Sequence, residues 1–294
     1  MDWKSKRVTA LLEQALREDK ATKDLTTALT IDPKLRASGT IIAKQDCVVA
    51  GLGCIPRFLE IFAEYDDRQS GRFEVVSHPE IFDGVRVKQG HALAVIRHNA
   101  RVILACERVI LNLLQHMSGV ATLTRHFVDE VKGTKAKVLD TRKTMPGMRV
   151  LDKYAVRCGG GENHRLDLSD GILIKNNHIS LGGGLAKVLA AALANREPGR
   201  TVQVEVRSFE ELKLALDGGA EALLLDNMSP AEAEKAVGVV REHSQTIPVE
   251  ASGGIVLENI RKYALAGVDY ISVGALTHSA IAVDLSMKIT AEIY

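Results

Sequence analysis

The sequence predicts an α/β protein whose second half is a parallel α/β barrel, complete or incomplete. Three observations carry this. From about residue 136, short apolar runs recur: AKVLDT, GILIK, VQVEV, ALLLDN, IPVEAS and YISVG. Helical stretches such as GLAKVLAAALANREPG and SFEELKLALDGG separate most of them. Strand followed by helix, repeated, means parallel strands joined by crossovers. A spacing of roughly 20–35 residues favours a barrel over a doubly wound sheet. The runs also end alike, on a charged or small polar residue: Asp140 with Arg142 and Lys143, Lys175, Glu205, Asp226, Ser252 and Gly274. Six such ends in register are hard to explain as solvation, and in a barrel the C-terminal strand ends ring the active site.

The first part reads differently. MDWKSKRVTALLEQALREDK predicts an amphipathic helix with charges throughout and no apolar core of the kind a secretion signal carries. GTIIAKQDCVVAGLG and RFEVVSHPEIFDGVRVKQGHALAVIRHN are β-branched runs punctuated by glycine, which predicts short strands. DGVRVKQGHALAVI is similar to the hairpins of biotinyl and lipoyl carrier domains. No modifiable lysine is evident at its tip, so it is read as structural sheet. ARVILACERVILNLLQHMSGVATLTRHFVDEVKG has helical periodicity, with a break expected near Ser118-Gly119. The expected domains are 1–115, mixed α/β, with 279–294 as a candidate completing segment, and 116–278, the barrel with the active site.

Composition excludes some classes. The 294 residues are 46% hydrophobic and 26% charged, as in a soluble globular protein, with a formal net charge of +1. No global basic field therefore draws nucleic acid or membrane, and anion binding must come from local clusters. No apolar run approaches the roughly 18 residues of a membrane helix. Cys47, Cys54, Cys106 and Cys158 show neither C-x-x-C nor zinc spacing, which fits reduced thiols in a cytoplasmic protein. Cys158, beside a glycine run, reads as a small buried residue rather than a nucleophile.

The strand ends then suggest their chemistry. VEASGGI and ISVGALTHS each run from strand through glycine into a helix. Glycine lets backbone N–H groups approach an anion, and the last loops of barrels often hold phosphate. Ser252, Gly253, Gly254 and Gly274 are the expected contacts, with His278 nearby. Glu205 and Asp226, at neighbouring strand ends, suggest Mg²⁺, a sugar hydroxyl or both, with structural ion pairs as the alternative. Arg142, Lys143, His164, Arg165, Lys175 and Arg108 exceed what one phosphate needs. Arginine suits planar carboxylates, so a second anionic ligand, a polycarboxylate, is expected.

Over nearly its whole length the chain resembles the quinolinate phosphoribosyltransferases, the decarboxylating enzymes of de novo NAD synthesis. The resemblance rests on DLTT (24–27), ERVILNLLQHMSGVAT (107–122), DTRKTMPGMR (140–149), GGGENHRLDLSDGILIKNNHI (159–179), VEV around Glu205, LLLDNM around Asp226, EASGGI and SVGALTHS. It implies an N-terminal α/β sandwich followed by an incomplete α/β barrel. It implies a homodimer, sometimes assembled further to hexamers, in which Arg108 reaches into the partner's barrel. The implied reaction joins quinolinate to 5-phosphoribosyl-1-pyrophosphate, giving nicotinate mononucleotide, pyrophosphate and CO₂, with Mg²⁺ as cofactor. By resemblance Arg108, Arg142, His164, Arg165 and Lys175 hold the quinolinate carboxylates. Lys143 and Lys175 serve the diphosphate. Glu205 and Asp226 take the ribose hydroxyls and Mg²⁺. Ser252, Gly253, Gly254, Gly274 and His278 cradle the 5-phosphate. Lys143, Lys175, Glu205 and Asp226 form the expected catalytic set.

Two departures from the family pattern stand out. Asn176 in IKNNH replaces the usual acidic residue, which removes a carboxylate from that position, and KDLTT replaces GDLTT. Competing readings are a Schiff-base barrel lyase using Lys175, the related group encoded with molybdate-transport genes, nicotinate phosphoribosyltransferase, and a non-catalytic phosphate-sensing protein.

Overall fold

The structure is a computed structural model, and it describes residues 1–65 and 72–292. The C-terminal end of the candidate completing segment, residues 293–294, lies outside the described residues. In chain order the first elements are α1 (Lys6–Glu18), α2 (Leu25–Thr30), β1 (Arg36–Ala43), β2 (Cys47–Val48), α3 (Cys54–Tyr65), β3 (Glu74–Val76), β4 (Arg86–Val87), β5 (Ala92–Asn99) and α4 (Ala100–Glu130). Next come β6 (Lys137–Leu139), α5 (Arg149–Cys158), β7 (Ile172–Ile174), α6 (Asn176–Gly182), α7 (Leu185–Asn195), β8 (Val202–Val206) and α8 (Phe209–Asp217). The last are β9 (Ala222–Asp226), α9 (Pro230–His243), β10 (Val249–Ser252), α10 (Leu257–Leu265), β11 (Tyr270–Ser272), α11 (Ala275–His278) and β12 (Leu285–Ala291). The chain divides into two units: Met1–Leu123 with Met145–Gly160 and Ala280–Tyr294, and Thr124–Thr144 with Gly161–Ser279.

The first unit is built on a four-stranded sheet of order β12-β1-β5-β3, all neighbours antiparallel. Strict alternation of buried and half-buried residues along β1 marks a sheet with one face packed and one open. Ala37, Gly39, Ile41 and Ala43 point inward, and a side chain at Gly39 would meet Ile103 of α4 and Met287 of β12. Helix α4 meets that face through Ile103, and α3 buries Phe58, Leu59, Ile61 and Phe62. Asp24 caps α2, accepting from the Thr27 N–H at 3.0 Å.

The helix break expected at Ser118-Gly119 does not occur: α4 is continuous over 31 residues. Gly119 serves close packing instead. A Cβ there would lie 2.2 Å from the Ile281 carbonyl oxygen, so only glycine lets the chain at 280–282 lie against the helix. Ser118 is buried, and its hydroxyl accepts from the Ala50 N–H at 3.1 Å.

Residues 145–160 group with the first unit, although their place in sequence is inside the stretch read as barrel. Side chains explain it. Buried Asp152 lies 2.6 Å from His116 Nε2, and Tyr154 donates to Asp83 at 2.6 Å. Asp83 also accepts from the Gly51 and Leu52 N–H groups. Cys47, Cys54 and Cys106 are buried and free, with burial pushing the Cys47 thiol up to about 11 and Cys106 to about 12. Cys158 is half-buried, not fully buried as expected, and its thiol is likewise raised to about 11, chiefly by burial, which fits an inert thiol.

The second unit contains all six expected parallel strands in one sheet of order β6-β11-β10-β9-β8-β7. Helices α7 to α10 occupy the connections between successive strands from β7 to β11. The strand order turns back on itself without β6 pairing to β7, which makes the barrel incomplete. Beyond β6, Glu162 bridges Leu139 in parallel, its N–H donating to the Val138 carbonyl at 2.8 Å. Strand interiors such as Val204, Leu223, Leu225, Val249 and Ile271 are buried. No helix among the described residues is long and apolar enough to cross a membrane.

Candidate active site

Register creates the site. In the parallel ladder Asp226 pairs with Ser252, Ser252 with Ser272, and Ser272 with Leu139. The C-terminal ends of four neighbouring strands therefore lie in one row. Above them is a cavity of about 590 Å³ within the second unit. Arg142, Lys143, His164, Arg165 and Lys175 line it, as do Glu205 and Asp226. Ser252, Gly253, Gly254, Gly274 and His278 complete the sequence-derived residues on its wall. Arg108 stands apart from this set: it is exposed on α4, in the first unit.

The cations are crowded. Burial and the neighbouring charge of Arg142 lower the Arg165 pKa below its ordinary value, while Asp170 works in the opposite sense. Like charges held together in a concave site are relieved by an anion. Arg165 is fixed by a bond from its guanidinium to the Gly171 carbonyl at 3.2 Å. Lys143 follows Thr141, whose hydroxyl accepts its N–H at 3.0 Å, and its carbonyl accepts from Thr277 at 2.8 Å. The Lys143 stem runs past Gly274, where a Cβ would lie 3.1 Å from its Cδ.

The paired carboxylates are held by cations. Lys175 Nζ lies 3.5 Å from Glu205, and Arg207 lies 3.7 Å from Glu205 and 3.0 Å from Asp226. Among the described residues no group of three or more His, Cys, Asp and Glu side chains is arranged to hold a metal. Mg²⁺ is often bound by one or two carboxylates plus substrate phosphates. Glu205 and Asp226 therefore fit an ion that arrives with a phosphorylated ligand, and not a cage preformed by protein alone.

The glycine turn after β10 is shaped for close backbone approach. Gly253 and Gly254 have φ of 96° and 62°. A Cβ on Gly253 would fall 2.3 Å from the Asn227 Oδ1. Asn227 itself adopts φ 56°, donates from its backbone to the Ser252 carbonyl at 2.8 Å and from its side chain to Asp226 at 3.0 Å.

At the base of the cavity sits Glu250, 3% exposed. Burial pushes its carboxyl pKa up, but His164, Ser272 and Gln203 outweigh this and hold it below the usual value. His164 Nε2 lies 3.3 Å away, Gln203 donates at 2.7 Å, and Ser272 donates through a short bond. Buried Asp140 grips the next loop, accepting from the His164 N–H at 2.9 Å and from Asn163.

Glu250, Arg207, Asn227 and Ser272 escaped the sequence reading as site residues. Glu250 had a signal: a charged residue inside the apolar run IPVEAS. Arg207 had one too, lying two residues beyond Glu205 and so on the same side of the chain.

Together these features define a class: an α/β-barrel enzyme for two anionic ligands, one of them phosphorylated. Residues 120–288 match the pattern described as quinolinate phosphoribosyl transferase, C-terminal domain, and residues 24–118 match the corresponding N-terminal domain. The chain is 41% identical to a nicotinate-nucleotide pyrophosphorylase [carboxylating] of Mycobacterium leprae, covering 95% of both chains. It is 37% identical to a probable enzyme of the same description from Bacillus subtilis, over 95% of this chain and 92% of that one. The NadC crystal structure from Streptococcus pyogenes superposes with a TM-score of 0.88 at 37% identity, covering 97% and 96% of the two chains. The chain belongs to the quinolinate phosphoribosyltransferase family.

Proposed function

We propose that the chain is a decarboxylating phosphoribosyltransferase that joins quinolinate to 5-phosphoribosyl-1-pyrophosphate, releasing nicotinate mononucleotide, pyrophosphate and CO₂. The observation that carries this is the cation set of Arg142, Lys143, Arg165 and Lys175, sharing one cavity with a glycine-rich turn and two carboxylates.

Arg142, His164, Arg165 and Lys175 hold the quinolinate carboxylates, and Lys143 and Lys175 also serve the diphosphate. Ser252, Gly253, Gly254, Gly274 and His278 receive the 5-phosphate. Glu205 and Asp226 take the ribose hydroxyls and, with the substrate's phosphate oxygens, would hold Mg²⁺. That ion would supply charge neutralisation at the departing pyrophosphate. The pyridine nitrogen attacks the anomeric carbon as that carbon becomes oxocarbenium-like. The pyridinium so formed stabilises the electron pair left on the ring carbon when the adjacent carboxylate departs as CO₂, and a proton from solvent then takes that position. No protein nucleophile is needed; orientation and fixed charge supply the rate. Half-exposed and paired with Glu205, Lys175 lacks the desolvated pocket on which a Schiff-base lysine depends.

The reading includes a homodimer in which Arg108 enters the partner's cavity, supported by its exposure on α4. It includes a cytoplasmic setting, supported by four free thiols, three of them buried. The test is a paired assay with phosphoribosyl pyrophosphate and Mg²⁺, one arm given quinolinate and the other nicotinate. Mononucleotide from quinolinate alone is expected; product from nicotinate alone overturns the reading.

A further inference from the structure

Two cavities of the second unit share a buried carboxylate. The cavity over the strand ends is one. The other, of about 360 Å³, is lined by residues at the strand starts, among them Thr201, Ala222, Pro248 and Tyr270. His164, Arg165 and Glu250 line both.

The hydrogen bonds around Glu250 have a direction. The Arg165 backbone N–H donates to His164 Nδ1 at 2.7 Å. Nδ1 is therefore the acceptor, and the ring proton sits on Nε2. Nε2 faces Glu250 at 3.3 Å. Both ring nitrogens thus have partners within the protein. Glu250 in turn is held from two sides, by Gln203 on β8 and Ser272 on β11. A carboxylate this deeply buried is costly unless it is fully bonded, and here each oxygen accepts.

We infer that Glu250 is a positioning residue for the substrate pocket: acting through His164, it fixes the backbone of Arg165 at the cavity wall and so the aim of that guanidinium. The chain of contacts runs Gln203 and Ser272 to Glu250, Glu250 to His164, His164 to the Arg165 N–H. Asp140 closes it from the far side by accepting the His164 N–H. The inference rests on reading the cavity as the quinolinate site.

The substitution Glu250→Gln separates geometry from charge. The amide oxygen can keep the His164 and Gln203 bonds, while the amide NH₂ donates to the Ser272 hydroxyl. Glu250→Ala removes all three bonds, and Glu250→Leu, nearer in volume, serves if the alanine variant does not fold. Steady-state kinetics are measured for both substrates in the wild-type and His164→Ala backgrounds. Glu250→Ala should raise the quinolinate KM about tenfold or more and leave the phosphoribosyl pyrophosphate KM within about twofold. Glu250→Gln should recover most of the loss. In the His164→Ala background Glu250→Ala should add less than about twofold. An unchanged quinolinate KM, an equal rise in both KM values, or the same rise without His164 overturns the inference. Nitrogen-15 NMR of His164 reads the positioning directly: the Nε2–H tautomer should hold in wild type and Glu250→Gln and be lost in Glu250→Ala. A wild type without quinolinate activity sinks the functional reading, while the NMR result still decides whether Glu250 sets the ring.

Discussion

Gly253 shows how single residues set this site. Its φ of 96° lies where side chains are strained, and its missing Cβ leaves room for the Asn227 amide. Asn227 then bonds Asp226, so one glycine ties the turn after β10 to the carboxylate at the end of the neighbouring strand β9. Gly253→Ala should raise the phosphoribosyl pyrophosphate KM about tenfold or more, with the quinolinate KM less affected. Substrate-resolved kinetics check this, and a variant with both values unchanged would show that the turn tolerates a side chain. Gly253, Glu205, Asp226 and the cations were legible because strand ends announce themselves by a polar residue after an apolar run. Glu250 was not, because a residue inside a strand shows no partners in sequence: its three donors come from residues 164, 203 and 272.

At the scale of elements, the six barrel strands were legible for the same reason that they pair. Short β-branched and leucine-rich runs between helices can bury both faces only in a parallel sheet. Register supplied what sequence could not, since only pairing places Asp226, Ser252 and Ser272 in one row. Helix α4 is the instructive miss. Local propensity marks Ser-Gly as a breaker, yet tertiary packing against residues 280–282 makes glycine the residue required there. Gly119→Ala would improve propensity and still destabilise the fold by about 1–3 kcal/mol, because the new methyl overpacks against the Ile281 carbonyl. Denaturant unfolding checks the sign. A stabilised variant would mean that residues 280–282 move aside without cost.

For the whole molecule, the two halves of the chain differ as their sequences do, one an antiparallel sheet under helices and one an open parallel barrel. What the sequence order hid is that residues 145–160 join the first unit through Asp152 and Tyr154, whose partners His116 and Asp83 lie far away in the chain. The proposed function makes one cavity, formed by the second unit, couple ribosyl transfer to loss of a carboxylate. The most direct measurement uses quinolinate labelled in the carboxyl group beside the ring nitrogen, with and without phosphoribosyl pyrophosphate. The account predicts that labelled CO₂ appears only when phosphoribosyl pyrophosphate is present, in equal amount to mononucleotide and pyrophosphate. Labelled CO₂ without the second substrate, or a mononucleotide that keeps the label, would contradict it.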